Sequence, residues 1–160
     1  MDEDRFWSMI EKAWNAAEGQ RKARKMLVKG ALSEENGFAL MQALEEVVSA
    51  LRADLDRLGR EELLAFDRIL ERKLFDIDRA EVHEHTDGSD DGFLYARGFI
   101  VALGKEFYDA VNTAPSRARF DLECEEMCYL SWHLYREKFG EMPSSDISRE
   151  TGSNTAGWKE

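Results

Sequence analysis

The stretch SEENGFALMQALEEVVSALRADLDRL, Ser33 to Leu58, decides the fold. Met41, Leu44, Val48, Leu51, Leu55 and Leu58 recur at intervals of 3, 4, 3, 4 and 3, one continuous apolar seam of helical period. Ser33 is a good N-cap, and Glu34 and Glu35 suit the positive end of a helix. Gly59 closes it. Leu63, Phe66, Leu70, Leu74 and Ile77 mark a second helix directly after. So short a connection predicts an antiparallel helical hairpin.

Working outward, Phe6, Ile10, Ala13, Trp14 and Ala17 share one face of a helix over residues 4–17, with Asp2, Glu3 and Asp4 at its start. A basic stretch continues to Gly30. Residues 79–89 lack an apolar stripe and read as a loop holding at most one helical turn. Ser89 or Asp90 then caps a helix whose apolar face is Phe93, Ala96, Ile100, Leu103, Phe107 and Val111. Gly98 and Gly104 interrupt it, and each costs about 1 kcal/mol against alanine. Close approach of a neighbouring backbone is the usual compensation and a ligand the rarer one; Gly104 is alternatively a break into two helices. A last helix spans about 120–139. The prolines, Pro115 and Pro143, both lie late, which leaves the first 114 residues open to long helices.

The expected architecture is an all-α bundle of five or six helices: a single domain over 1–140, centred on residues 33–58, and a flexible tail over 141–160. Trp158 is out of place in so polar a tail. With 160 residues the chain is long enough for a core without disulfides or metal.

Net charge is -11, which disfavours nucleic acid as a partner and suits a protein with a basic surface. The charge is uneven. Residues 18–30 hold five basic side chains against Glu18, a balance of +4, so the other 147 residues carry -15. That basic segment reads first as a solvated helix face and second as a dock for the protein's own acidic surface, a partner copy or an anionic ligand. No apolar run reaches membrane-spanning length, and the acidic start resembles no signal peptide; a cytoplasmic location is the expectation.

Four groups of residues are candidate sites. Asp90 and Asp91 at a helix start, Arg97 nearly two turns on, and Asp67 on the preceding helix would form a polar pocket, with Arg97 gripping an anion and an aspartate acting as base. The competing explanation, a buried cap and ion pair that fix the loop, is favoured. His83 and His85 beside Asp87, Asp90 and Asp91 are weak metal candidates. Their spacing fits no strong ligand motif, so no metal and no cofactor is favoured. Cys124 and Cys128 share a helix face and read as core thiols rather than ligands or nucleophiles. Among Phe6, Trp7, Trp14, Tyr95, Phe99, Tyr129 and Trp132, the off-stripe Trp7 and Trp132 are candidates for an interface. A homodimer contact through the 41–58 seam stays open. No glycine-rich phosphate loop, nucleophile elbow or dinucleotide fingerprint occurs, which weighs against an enzyme.

The chain resembles a bacterial family described only as domain of unknown function 4240. Phe6-Trp7 with Ile10 and Glu11, Leu64-Ala65-Phe66-Asp67, and Ser89-Asp90-Asp91-Gly92-Phe93 with Arg97-Gly98 and Gly104 carry the resemblance. Glu125, Glu126, Tyr129, Tyr135 and Pro143 fit it as well. The resemblance implies a mostly helical, soluble bacterial protein and no particular activity. The chain departs from the family pattern at His83-Glu84-His85-Thr86-Asp87, where an apolar, glycine-containing run is expected. From the residues the first functional expectation is a non-catalytic interaction module, immunity- or adaptor-like. The alternative is a small-ligand or hydrolytic site on Asp67, Asp90, Asp91 and Arg97.

Overall fold

A computed structural model describes residues 1–159, and among them there are helices and connecting segments but no strand. The order is α1 (Glu3–Ala13), a 3-10 stretch (Trp14–Gln20), α2 (Arg21–Val28), α3 (Glu34–Asp56), α4 (Arg60–Asp76), α5 (Ala80–His83), α6 (Asp90–Ala102), α7 (Lys105–Thr113), a 3-10 turn (Pro115–Arg117) and α8 (Glu125–Phe139). The all-α expectation holds, and local chemistry explains most boundaries. Ser33 Oγ accepts from the amide of Asn36 at 3.3 Å, and Ser89 Oγ from that of Gly92 at 3.0 Å, so both expected N-caps are in place. Gly104, at φ +99°, ends α6 and opens α7, which settles the choice between interruption and break. The single turn α5 sits inside the expected 79–89 loop.

The last helix begins at Glu125 rather than near residue 120, and two larger expectations need correction. The first helix stops at Ala13 rather than reaching residue 17, because Ala17 leaves helical backbone at φ -133°, ψ 46°. The 3-10 stretch turns Trp14 into the core, where its indole N–H donates to the Ala102 carbonyl at 2.8 Å. Second, α3 and α4 do not pair as a hairpin. α8 lies against both, and against α6, so the short 57–59 connection turns the chain without laying the two helices side by side.

α3 packs against α1, the 3-10 stretch and α2 on one flank and against α8 on another. Its buried stripe is accordingly wider than the seam: Leu40 and Val47 join Leu44, Val48, Leu51 and Leu55, while Met41 and Leu58 are half-buried. Each fully buried leucine contributes roughly 1.5–3 kcal/mol. α6 is buried nearly all round. Gly98 allows this: a Cβ there would lie 2.4 Å from the Cys124 carbonyl and 2.5 Å from Cys128 Sγ. The compensation is the close approach of α8, not a ligand.

Residues 141–159 form no helix. They run in turns and bends over α4, α6 and α8, and Arg149 within them is only 4% exposed.

Candidate functional site

The lower face of α4 changes character halfway along. Leu63, Phe66, Leu70 and Leu74 point into the apolar core, but Asp67 and Glu71, four residues apart on the same side, are buried too. Buried carboxylates need donors or cations. Ser131 of α8 donates to Asp67 Oδ1 at 2.8 Å. The rest comes from the carboxy-terminal segment. Arg149 reaches Asp67 at 3.1 and 3.2 Å and Glu71 at 3.5 Å, and its other terminal nitrogen donates to the Cys128 carbonyl at 2.6 Å. The guanidinium also stands 5.5 Å from the Tyr129 ring centre. Ser145 donates to Glu71.

Arg97 of α6 is completely buried over the ring of Phe93. Among the described residues it meets no carboxylate at hydrogen-bond distance. It donates instead to the carbonyls of Leu74 (2.8 Å) and Arg149 (3.0 Å) and to the Thr151 hydroxyl (3.1 Å), which in turn donates to the Asp90 carbonyl at 2.7 Å. Burial lowers its pKa, and the charge of nearby Asp78 opposes that. Asp78, fully buried just beyond α4, accepts from the amides of Gly152 and Asn154 at 3.1 and 2.9 Å and from the Trp158 indole at 2.9 Å. Trp158 packs at a tilt against His83 and edge-to-face against Phe93, with ring centres 5.3 and 5.8 Å away. Its place in so polar a tail is thereby explained.

Of the four candidate polar residues, then, Asp67 and Arg97 share one seam, but they meet through Arg149 rather than directly. The Asp90 and Asp91 side chains lie exposed in the first turn of α6, where they suit the helix dipole. His83 packs edge-on against Phe93 at 5.0 Å. Among the described residues no three His, Cys, Asp or Glu side chains converge as metal ligands. Cys124 and Cys128 are buried and free, and burial pushes both thiols up, Cys124 to about 12. Trp7 is a core residue at 6% exposure, tilted against Tyr108, which corrects its place as an interface candidate: the buried face of α1 is wide enough to take it. Trp132 is half-buried beside His133 and Arg136.

Glu71, Asp78, Ser131, Arg149 and Thr151 were not among the sequence candidates. Glu71 carries a usable signal, four positions after Asp67. Arg149 carries none, since nothing in a serine- and glycine-rich stretch marks it for burial.

Cavities lie at the edges of this seam and away from it. One of about 380 Å³ is lined by Arg68, Glu71 and Arg72 of α4 and by residues 144–147. Another, of about 260 Å³, lies between α1 and α2 near Trp14 and Arg24. There Arg24 of the basic stretch grips Glu11 with both terminal nitrogens, at 2.8 and 2.9 Å, and lies over the Trp14 ring. Arg21, Lys22, Lys25 and Lys29 are exposed.

The fold and the seam define an all-α protein whose buried carboxylates are matched by its own carboxy-terminal segment. The chain belongs to the family described as Protein of unknown function (DUF4240), whose model matches residues 1–137. Asp67, Glu71, Asp78, Arg97 and Ser131 fall within the match; Arg149 and Trp158 lie beyond it. Neither a search of the curated proteins nor one of the solved structures finds a match. No helix among the described residues is long and apolar enough to cross a membrane.

Proposed function

We propose that the protein is a non-catalytic interaction module whose partner presents a basic surface, in an immunity- or adaptor-like role in a bacterial cytoplasm. One observation carries the reading. The buried carboxylates Asp67 and Glu71 hold a guanidinium, that of Arg149, at 3.1 to 3.5 Å. Acidic side chains arranged to receive arginine suit a molecule of net charge -11 that meets a cationic partner. The small-ligand reading has less support. Arg97 spends both terminal nitrogens on protein oxygens, and Asp90 and Asp91 do not converge with it. The exposed part of Trp132 offers the kind of aromatic contact that interfaces use.

Affinity capture from the native host, repeated at rising salt, tests the proposal. A partner that elutes as salt is raised is the expected result, because charge complementarity between exposed groups is screened. Failure to retain any partner at physiological salt would sink it.

A further inference from the structure

We infer that the groove between α4, α6 and α8 is a docking site for an arginine-bearing polypeptide segment of another protein, which the chain's own residues 145–158 occupy in its absence. The inference rests on the interaction-module reading and names the partner's chemistry.

Three buried carboxylates line the groove: Asp67, Glu71 and Asp78. Apart from the Ser131 hydroxyl, every side-chain or backbone donor hydrogen-bonded to them comes from residues 145–158. Among the described residues the body brings no cation within ion-pair distance of these three carboxylates, and the charge of its buried Arg97 acts on Asp78 from further off. A carboxylate cluster alone would mean little, but here a polypeptide is seated on it. One arginine enters between two carboxylates, two backbone amides and an indole cap the third, and the Gly157 carbonyl accepts from the Ala80 amide at 3.0 Å. Glycine is needed at 157, since a Cβ would lie 2.8 Å from the Asp78 carbonyl. The segment is seated in turns rather than as a strand, held by one arginine slot, one capped carboxylate and a single backbone hydrogen bond.

The seated segment is a poor apolar anchor. Between residues 141 and 159 only Arg149 is buried, with Trp158 half-buried nine positions on. Exchange for a second segment offering an arginine and an indole at that spacing would replace like contacts with like. The fit is also incomplete. Arg97 Nε is buried without an acceptor, and the 380 Å³ cavity stays open between Glu71 and residues 144–147. A longer or better-matched segment has both to gain.

The test uses full-length protein and a synthetic peptide of residues 143–159. In the Arg149→Ala chain the resident segment lacks the guanidinium, so the peptide should fill the slot in trans. Arg149→Lys keeps a cation without the planar fork and guards against a chain that does not fold. The expected result is a melting temperature that rises with peptide concentration in either variant and not in the wild type, as binding to the native state requires. A peptide with alanine in place of its arginine should have at least tenfold weaker effect. No rise in a variant shown by circular dichroism to be folded overturns the proposal. So does an equal rise with the alanine peptide. A heterodimer of wild-type and Arg149→Ala chains that excludes the peptide would overturn the choice of occupant in favour of a second copy. The affinity capture described above can fail while this titration succeeds, and the reverse, so a failure of the one is distinguishable from a failure of the other.

Discussion

The flank of α3 that faces α1 and α2 and the groove under residues 145–158 are both buried, and they are held together by opposite means. On the α3 side Leu40, Leu44, Val47, Leu51 and Leu55 pack against other apolar side chains, with Trp14 donating one hydrogen bond to a carbonyl. In the groove Arg97, Arg149, Asp67, Glu71 and Asp78 are charged, and each is nearly or wholly out of water. Apolar burial is non-directional and tolerates substitution by similar volumes. A buried ionic network is directional, and it adds little net stability when whole but costs much when broken in part. The first kind of contact suits a permanent core. The second suits a place where the identity of the occupant matters.

The sharpest way to break the contrast is Arg149→Ala. It leaves Asp67 and Glu71 without a cation, and the expected loss is about 3–5 kcal/mol in denaturant unfolding, with new proteolytic cleavage in residues 143–159. Replacing Asp67, Glu71 and Arg149 together by leucine or methionine should recover most of that loss, since a matched apolar set often equals a buried ion network. If the triple variant is as unstable as Arg149→Ala, the groove does not behave as an ionic network. Leu55→Ala probes the other region. It should cost about 2–5 kcal/mol by leaving a cavity, without loosening the carboxy-terminal segment to proteolysis.

Gly98→Ala lies on the α6–α8 contact that joins the two regions. The added methyl meets the Cys124 carbonyl, a backbone atom that cannot swing aside, so a loss of about 1–3 kcal/mol in thermal or chemical unfolding is expected. The smallest effect belongs to the Glu11–Arg24 pair, whose carboxylate is exposed although its guanidinium is mostly covered; a double-mutant cycle should give about 0.2–1 kcal/mol that fades with salt. The hydrogen bond from Arg24, with its charge, holds the Glu11 carboxyl below its ordinary range against opposing desolvation. The folded-state pKa is thus lower than the unfolded one. The stabilisation is present above the unfolded value, near 4.3, and is lost as pH falls through the folded value. Glu11→Gln should remove that part of the acid dependence and nothing at neutral pH beyond the pair itself.

How much was legible follows from the range of the interactions. The α3 seam, the caps at Ser33 and Ser89 and the stop at Gly140 all depend on residues within a turn or two, and their spacing is written in the chain, whereas the sequence left interruption and break both open at Gly104. Asp67 and Arg97 were singled out as well, but as members of a pocket with Asp90 and Asp91, which do not join them. Their partners were not. Arg149 meets Asp67 across 82 positions and Glu71 across 78, from a stretch with no period and no motif. The pairing of α3 with α4 failed for the same reason, because the helix that lies between them begins at residue 125, long after both.

By itself the sequence determined that this chain is helical, where α3, α4 and α6 begin, which residues are apolar enough to form the core, and which family it resembles. Those properties are set by backbone geometry, side-chain branching and the 3.6-residue period, all of them local. Tertiary structure alone decided that α8 separates α3 from α4, that Trp7 is core, and that residues 145–158 lie in a groove of buried carboxylates. Those outcomes depend on contacts between distant segments, where many residues of similar chemistry could have served and only the packed chain selects which of them do.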